Sequence, residues 1–201
     1  MPTTVACQGK RLLVPIMLRL AIRAYPIKSP ACVEYDPRVV EVAHEIMQMI
    51  SAALPRVTVE HIGSTSVPGC AGKGIIDLMV LYPDGQLEEV KEGLRGLGLQ
   101  RQTVGHLMPE SRPMKVGAVR YQGRTYRLHV HVIAAHSPEV NALRRFRDRL
   151  RANRHAVERY VEQKRAILAA GVTDSRAYTS MKSSFIQKAL ASRASSSASR
   201  R

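Results

Sequence analysis

Tryptophan is absent from the 201 residues, and phenylalanine occurs only twice. Aromatic side chains make up 4% of the chain, so the stacking platforms that hold single-stranded nucleic acid are poorly supplied. Cysteine is scarce too: Cys7, Cys32 and Cys70 are scattered, odd in number and show no CxxC spacing. That pattern argues against a disulfide framework or a zinc site and points to a reducing cytoplasm. Long apolar runs are missing. The stretch Leu12 to Ile22 is interrupted by Arg19 and followed by Arg23, which leaves it too short and too charged to span a bilayer and a poor secretory signal. No membrane partner is expected. No GxxxxGK[ST] loop occurs, which excludes a kinase of the P-loop type.

Acidic residues are missing from both ends. Lys10, Arg11, Arg19, Arg23 and Lys28 precede Glu34 with no acid among them, and Arg193, Arg200 and Arg201 follow Leu190 likewise. Subtracting those eight from the formal charge of +15 leaves the central region at +7. A moderately basic domain favours an anionic ligand, a nucleotide or another small anion before a nucleic acid. A solvated basic surface with no partner has the same composition. The length fits one domain able to bury its own core. Residues 1–33 read as a basic extension, disordered or peripheral, or an over-extended start of translation. Residues 34–190 read as the folded domain, and 191–201, rich in Ser, Arg and Ala, as a disordered tail.

What is present is a regular alternation of helix and strand signals. Asp36-Pro37 is a helix opening, and Val39, Val40, Ala43, Ile46, Met47 and Ile50 recur at helical spacing up to Pro55. Val57 to Ile62 reads as a strand, Ile75 to Leu81 as a buried strand and Leu87 to Leu97 as a helix. Leu99 to Val104 is a further strand candidate. Met114 to Tyr121 and Arg124 to Ile133 flank Gln122-Gly123 as a tight hairpin. Ser137-Pro138-Glu139 opens the first of three helices, divided near Asn153-Arg154 and Gly171-Val172-Thr173. The expected fold is α/β (α+β), a mixed sheet flanked by helices with a helical C-terminal half.

The stretch from Glu60 to Asp77, E-H-I-G-S-T-S-V-P-G-C-A-G-K-G-I-I-D, carries the most chemistry. Gly63 permits a sharp turn. Ser64, Thr65 and Ser66 can bond free amides or an anion, and turn amides can cradle phosphate. Asp77 interrupts the apolar run Ile75, Ile76, Leu78, Met79, Val80, Leu81. A carboxylate there needs a partner, either a metal ion or a cation such as Lys73 or Arg127. Along Arg124 to Ile133 the two-residue period sends Tyr126, Leu128, Val130 and Val132 to one face. Arg127, His129, His131 and Ile133 go to the other. The histidines then bind a metal or a phosphate, move a proton, or simply decorate an exposed polar face. Spacing alone favours the last. Glu60 reads as an edge carboxylate, His61 as a packed strand histidine and Cys70 as a small filler. Arg147 and Asp148, one residue apart on a helix, are not expected to face each other. Tyr178, Lys182 and Phe185 share a helix face, with Phe185 as core and Lys182 as a phosphate contact or a surface lysine.

This order of parts resembles the nucleotidyltransferase fold of the DNA polymerase beta superfamily. The closer resemblance is to the GrpB family, whose hallmark is similar to His61–Asp77. The likeness continues at Leu128-His129-Val130-His131-Val132, at Phe146 to Ala152 and at Ala177 to Phe185, covering roughly Val33 to Leu190. The resemblance implies a nucleoside triphosphate as substrate, with Gly63, Ser64, Thr65, Ser66, Lys73, Arg127, Arg147 and Lys182 toward its phosphates. It implies magnesium on Asp77, with His129 and His131 as co-ligands or bases and Lys73 neutralising charge. The His-x-His stands where the superfamily often places a third carboxylate. One departure matters: the superfamily's second strand acid is Met79 here, and a thioether does not hold magnesium. One metal then suffices, or the histidines complete the ligation, or the pocket binds without catalysing. The alternative is a non-catalytic, chaperone-like module related to the GrpB domain fused to dephospho-coenzyme A kinase. RNA binding through the basic ends is a third and weaker reading.

Overall fold

The computed structural model describes residues 20–29, 31–103, 105, 107–172, 177–182 and 186. Residues 1–19, Thr173, Phe185 and the tail 191–201 lie outside the described residues.

The centre is a five-stranded sheet in the order β1-β2-β5-β4-β3. β1 (Thr58–Ile62) runs antiparallel to β2 (Ile75–Tyr82), and β2 runs parallel to β5 (Arg124–Ala134). β4 (Met114–Tyr121) is antiparallel to β5, and β3 (Gln100–Arg101) antiparallel to β4. The strand expected over Leu99 to Val104 is therefore only two residues long. The hairpin turns at Gln122 and Gly123 with φ of 45° and 77°, the positive pair that matches the twist of the flanking strands.

β2 has a neighbour on each side, and both of its faces are covered. Its sequence is accordingly a near-continuous apolar run, and Asp77 is the single residue in it that is not fully buried. Register places Ile62, Asp77 and His129 in one row and Glu60, Met79 and His131 in the next. Paired residues project to the same face, so all six share it.

The opposite face is the main core. Ile76, Leu78, Val80, Leu128, Val130 and Val132 pack there against α1 (Val39–Ala53) and α2 (Leu87–Gly96). Val39, Val42, Ala43, Ile46 and Ile50 form the buried stripe of α1, a helical period read directly from sequence. The helix begins two residues later than expected. The cap position falls on Arg38 rather than Asp36, but the Asp36 carboxylate still accepts the Arg38 amide at 3.2 Å, and takes the Arg38 side chain at 2.9 Å, the Tyr126 hydroxyl at 2.7 Å and Arg124 at 3.0 Å. That ties the entry of α1 to the hairpin.

α3 (Pro138–Ala152) covers the first face through Val140, which joins Ile62, Met79, Leu81 and Ile133. Ser137 caps α3 by accepting the Glu139 amide, and Asn153 caps α4 (Arg154–Ala169) by accepting the Ala156 amide at 3.1 Å. α4 packs on α3 and on Val67, Cys70 and Ala71, which clamps the loop between β1 and β2. Residues 177–182 are helical. Part of the expected N-terminal extension belongs to the fold. Leu20 is buried, and Arg23 exchanges backbone hydrogen bonds of 2.7 and 3.0 Å with Ala118 of β4.

Candidate active site

Parallel pairing of β2 and β5 brings Asp77 beside His129 and, one row on, His131. His129 Nδ1 lies 3.4 Å and His131 Nε2 3.6 Å from Asp77 Oδ1. Side-chain exposures of 25%, 22% and 18% keep all three within reach of solvent while sheltering them. Burial alone would raise the pKa of Asp77. The two histidines outweigh it and hold the carboxyl well below the usual range, so Asp77 is ionised at neutral pH. Burial lowers the pKa of His131 against the pull of Asp77.

The outer ring atoms are engaged as well. The Arg112 Nη1 is 3.2 Å from His131 Nδ1, and a guanidinium only donates, so His131 keeps its own proton on Nε2, facing Asp77. Arg112 is itself held by an ion pair to Glu139. The Tyr25 hydroxyl is 3.0 Å from His129 Nε2. Asp77 only accepts, so Nδ1 of His129 carries the proton and Nε2 accepts from Tyr25.

Gly63 sits directly over the acid. Its φ is +71°, and a Cβ there would collide with Asp77 Oδ2 and stand 3.0 Å from the Asp77 Cβ and Cγ. The turn and the carboxylate thus converge as the sequence pattern implied. The short 3₁₀ turn Ser64–Ser66 follows. Two of its hydroxyls serve the turn rather than a ligand. Thr65 donates to the Ile75 carbonyl at 3.1 Å and meets His61 Nε2 at 3.0 Å, and Ser66 donates to the Gly63 carbonyl at 2.7 Å. His61 is the packed strand histidine it was expected to be, and burial pushes its pKa down to about 4.

Ser64 faces a different space. It lines a cavity of ≈ 380 Å³ with Lys28, Lys73, Arg124 and Arg127 on one side of the charge balance and Glu34 and Asp36 on the other. The Lys73 ammonium lies 4.1 Å from the centroid of the Tyr178 ring, and its carbonyl accepts from Arg127 at 2.9 Å. Lys182 lies near Tyr178, Cys70 and Lys164, close enough for its charge to bear on all three.

Arg147 is turned toward Glu60, at 3.0 Å, where Arg144 also binds. It reaches Asp148 too, at 2.7 Å. The expectation that these neighbours would not meet is corrected here: the Cβ directions diverge, but a four-bond guanidinium side chain bends back over its own helix. Arg151, one turn further, donates to the Ser66 carbonyl at 2.9 Å. Arg144, Arg147 and Arg151 thus form a stripe along α3 that fastens it to β1 and the turn. Their i, i+3, i+7 spacing, which puts all three on one helix face, is the sequence signal for it.

Four other residues also escaped sequence reasoning: Tyr25, Arg112, Glu139 and Lys164. Lys164 is 2% exposed. Its ammonium donates to the Ala71 carbonyl, lies 3.4 Å from Cys70 Sγ and sits 4.3 Å from the centroid of the Tyr160 ring. Only the tertiary fold brings these groups in; Glu139 alone stands in a local motif, the Ser137-Pro138-Glu139 helix opening, and that motif says nothing of Arg112.

Magnesium takes hard oxygen ligands and is commonly held by one or two carboxylates together with substrate phosphates. Asp77 suits that role: it is a single ionised carboxylate with Oδ2 beneath the turn. The histidines build no cage around a cation, because their inner nitrogens face Asp77 and their outer ones face Tyr25 and Arg112. Among the described residues no three His, Cys, Asp or Glu side chains are grouped to hold a metal by themselves.

The fold and site define a mixed α/β protein whose acid–imidazole centre lies beneath a glycine-serine turn. The sequence profile of the GrpB protein family matches residues 29–192, and the chain belongs to that family. Among its relatives is a UPF0157 protein of Streptomyces coelicolor, 36% identical over 76% of this chain and 78% of its own length. Another, from Halalkalibacterium halodurans, is 29% identical over 80% of each chain. The crystal structure of conserved protein GrpB from Enterococcus faecalis is similar at 26% identity and a TM-score of 0.64, covering 80% of this chain and 97% of that one. No described helix is long and apolar enough to cross a membrane.

Proposed function

We propose that this protein is a nucleotidyltransferase-like enzyme of the cytoplasm. It binds a nucleoside triphosphate over the Gly63–Ser66 turn and transfers a nucleotidyl or phosphoryl group to a small acceptor. The observation that carries the reading is the convergence of Asp77, His129 and His131 beneath Gly63, where the missing Cβ leaves room against the carboxylate. Ser64, Lys73 and Arg127 border the adjoining basic cavity and bind phosphate oxygens. Asp77 would hold magnesium jointly with those oxygens, and the ion supplies neutralisation of the developing negative charge when bound. His131 and Arg112 orient Asp77 from one side. His129 orients it from the other and offers Nε2 to the acceptor's proton.

A second reading has its own support. Met79 stands where the superfamily places a second acid, and it is fully buried in the apolar cluster under α3. A pocket with one acid in place of two fits a module that binds the nucleotide without turning it over, like the chaperone-like role implied by GrpB domains fused to dephospho-coenzyme A kinase.

A thermal-shift screen of nucleotides with and without magnesium tests the binding step. Stabilisation is expected only with both present. Asp77→Asn should lower the magnesium-dependent affinity at least tenfold by calorimetry, and an unchanged affinity rejects the metal role of Asp77. If the wild-type protein responds to no nucleotide, the transferase reading falls. Product formation from a bound nucleotide separates it from the binding module.

A further inference from the structure

We propose that Tyr25 is a self-modification site: its phenolic oxygen accepts a nucleotidyl group from the nucleoside triphosphate bound beside it. The inference rests on the nucleotide-binding reading above and adds an acceptor to it.

A transfer of this kind needs a hydroxyl aimed at the reacting phosphorus and a group to take its proton. The site holds a hydroxyl in contact with a base. The Tyr25 hydroxyl is 3.0 Å from His129 Nε2, and the far side of that imidazole faces Asp77 Oδ1 at 3.4 Å. Hydroxyl, imidazole and carboxylate therefore stand in series, the arrangement that polarises a nucleophilic oxygen. The ring of Tyr25 stacks on His129 with centroids 5.4 Å apart and an interplanar angle of 27°. Arg127, which borders the basic cavity, places its guanidinium 5.9 Å from the Tyr25 ring centroid. A guanidinium so close to the phenol can meet the charge that develops on a phosphate attacked by it.

The hydroxyl is held, not merely passing. Two residues earlier Arg23 pairs with Ala118 through both backbone hydrogen bonds, and Leu20 is buried in the core. A hydrogen-bonded, stacked phenol loses less conformational entropy on reaction than a free acceptor arriving from solution. Tyr25 precedes the family-matched residues 29–192, so this acceptor comes from the segment that precedes the shared domain.

The step balances as follows. Tyr25 Oη attacks the α-phosphorus of the nucleoside triphosphate, and an Oη–P bond forms. The bond from the α-phosphorus to the bridging oxygen breaks, and pyrophosphate leaves with that electron pair. The phenolic proton passes to His129 Nε2. The product is a tyrosyl nucleotide on the chain.

The experiment incubates the full chain with ATP, GTP, CTP or UTP and magnesium chloride, then reads intact mass, peptide fragmentation and melting temperature. The expected result is a mass gain of one nucleoside monophosphate, located on Tyr25. Tyr25→Phe keeps the ring and should abolish the gain while retaining the nucleotide-induced rise in melting temperature. A rise in melting temperature without any mass gain overturns the self-modification and leaves the nucleotide-binding reading standing. A gain that persists in Tyr25→Phe, or maps to another residue, overturns it equally. Neither a rise nor a gain with any of the four nucleotides overturns both.

Discussion

Position 63 demands a residue without a side chain twice over. The backbone there has φ of +71°, and the space a Cβ would fill belongs to the carboxylate of Asp77. With ψ of −171° this is a conformation that is essentially glycine's alone, costing another residue about 1–3 kcal/mol, and the overlap with Asp77 adds to that. Gly63→Ala should therefore lower the stability to urea by at least ~2 kcal/mol and also weaken nucleotide binding. A variant with wild-type stability would show that the turn and acid are not in contact. His61 offers a second test at this scale. The unfolded chain takes up a proton on this histidine near its ordinary value of 6.5, whereas burial in the folded protein delays uptake to about 4. Below 6.5 the unfolded state thus binds more protons, and stability falls with falling pH. The contribution is complete above pH 6.5 and is lost down to about pH 4, a total of roughly 3 kcal/mol. His61→Gln should flatten the stability curve across that window, and parallel curves for the two proteins would refute the assignment.

Among the elements, β2 and β5 do most to place the chemistry. Their parallel register sets Asp77 opposite His129 and Met79 opposite His131, and a one-residue slip would send every one of these to the other face. The apolar side of both strands resists that slip, because Ile76, Leu78, Val80, Leu128, Val130 and Val132 are needed against α1 and α2. The core thereby sets the geometry of the site on the sheet's reverse. Ile46 in α1 is fully buried against that face. Ile46→Ala removes its methylenes and leaves a cavity, so urea denaturation should show a loss of about 2–5 kcal/mol. A loss below ~1 kcal/mol would mean that α1 does not seal the core as described. α3 acts differently. Its apolar contribution is small, and Arg144, Arg147 and Arg151 fasten it to Glu60 and the Ser66 carbonyl.

For the whole molecule, charge and topology work together. The formal charge of +15 favours anions near the surface, and the cavity rimmed by Lys28, Lys73, Arg124 and Arg127 is where the proposed nucleotide's phosphates would sit. Nucleotide affinity measured by calorimetry should accordingly fall as sodium chloride is raised, because screening weakens exactly those contacts that solvent can reach. An affinity indifferent to salt would move the phosphates away from this cavity. The N-terminal segment also changes meaning at this scale. Read alone it is a basic, weakly apolar extension, but Arg23 bridges to Ala118 of β4 and Tyr25 reaches His129.

Much of this was legible in the chain itself. The two-residue alternation on β5 separated the histidines from the apolar core, the helical period of α1 marked its buried stripe, and the lone acid in β2 marked a candidate site. Those signals are local: they follow from which face a side chain takes within one element, and period alone decides that. Tyr25, Arg112 and Lys164 were invisible because each enters from outside the strands that carry the acid and imidazoles, and nothing in a residue's own neighbourhood encodes what lies across the fold; Glu139 was legible as part of a helix opening, but its ion pair with Arg112 was not. The same holds for Thr65 and Ser66, whose hydroxyls looked available for phosphate until the turn closed on its own carbonyls. Sequence alone therefore determined the family, the elements and the identity of the central acid and imidazoles. Tertiary structure alone decided which polar atoms face that acid and which are already spent, since hydrogen bonds are settled by distance in space.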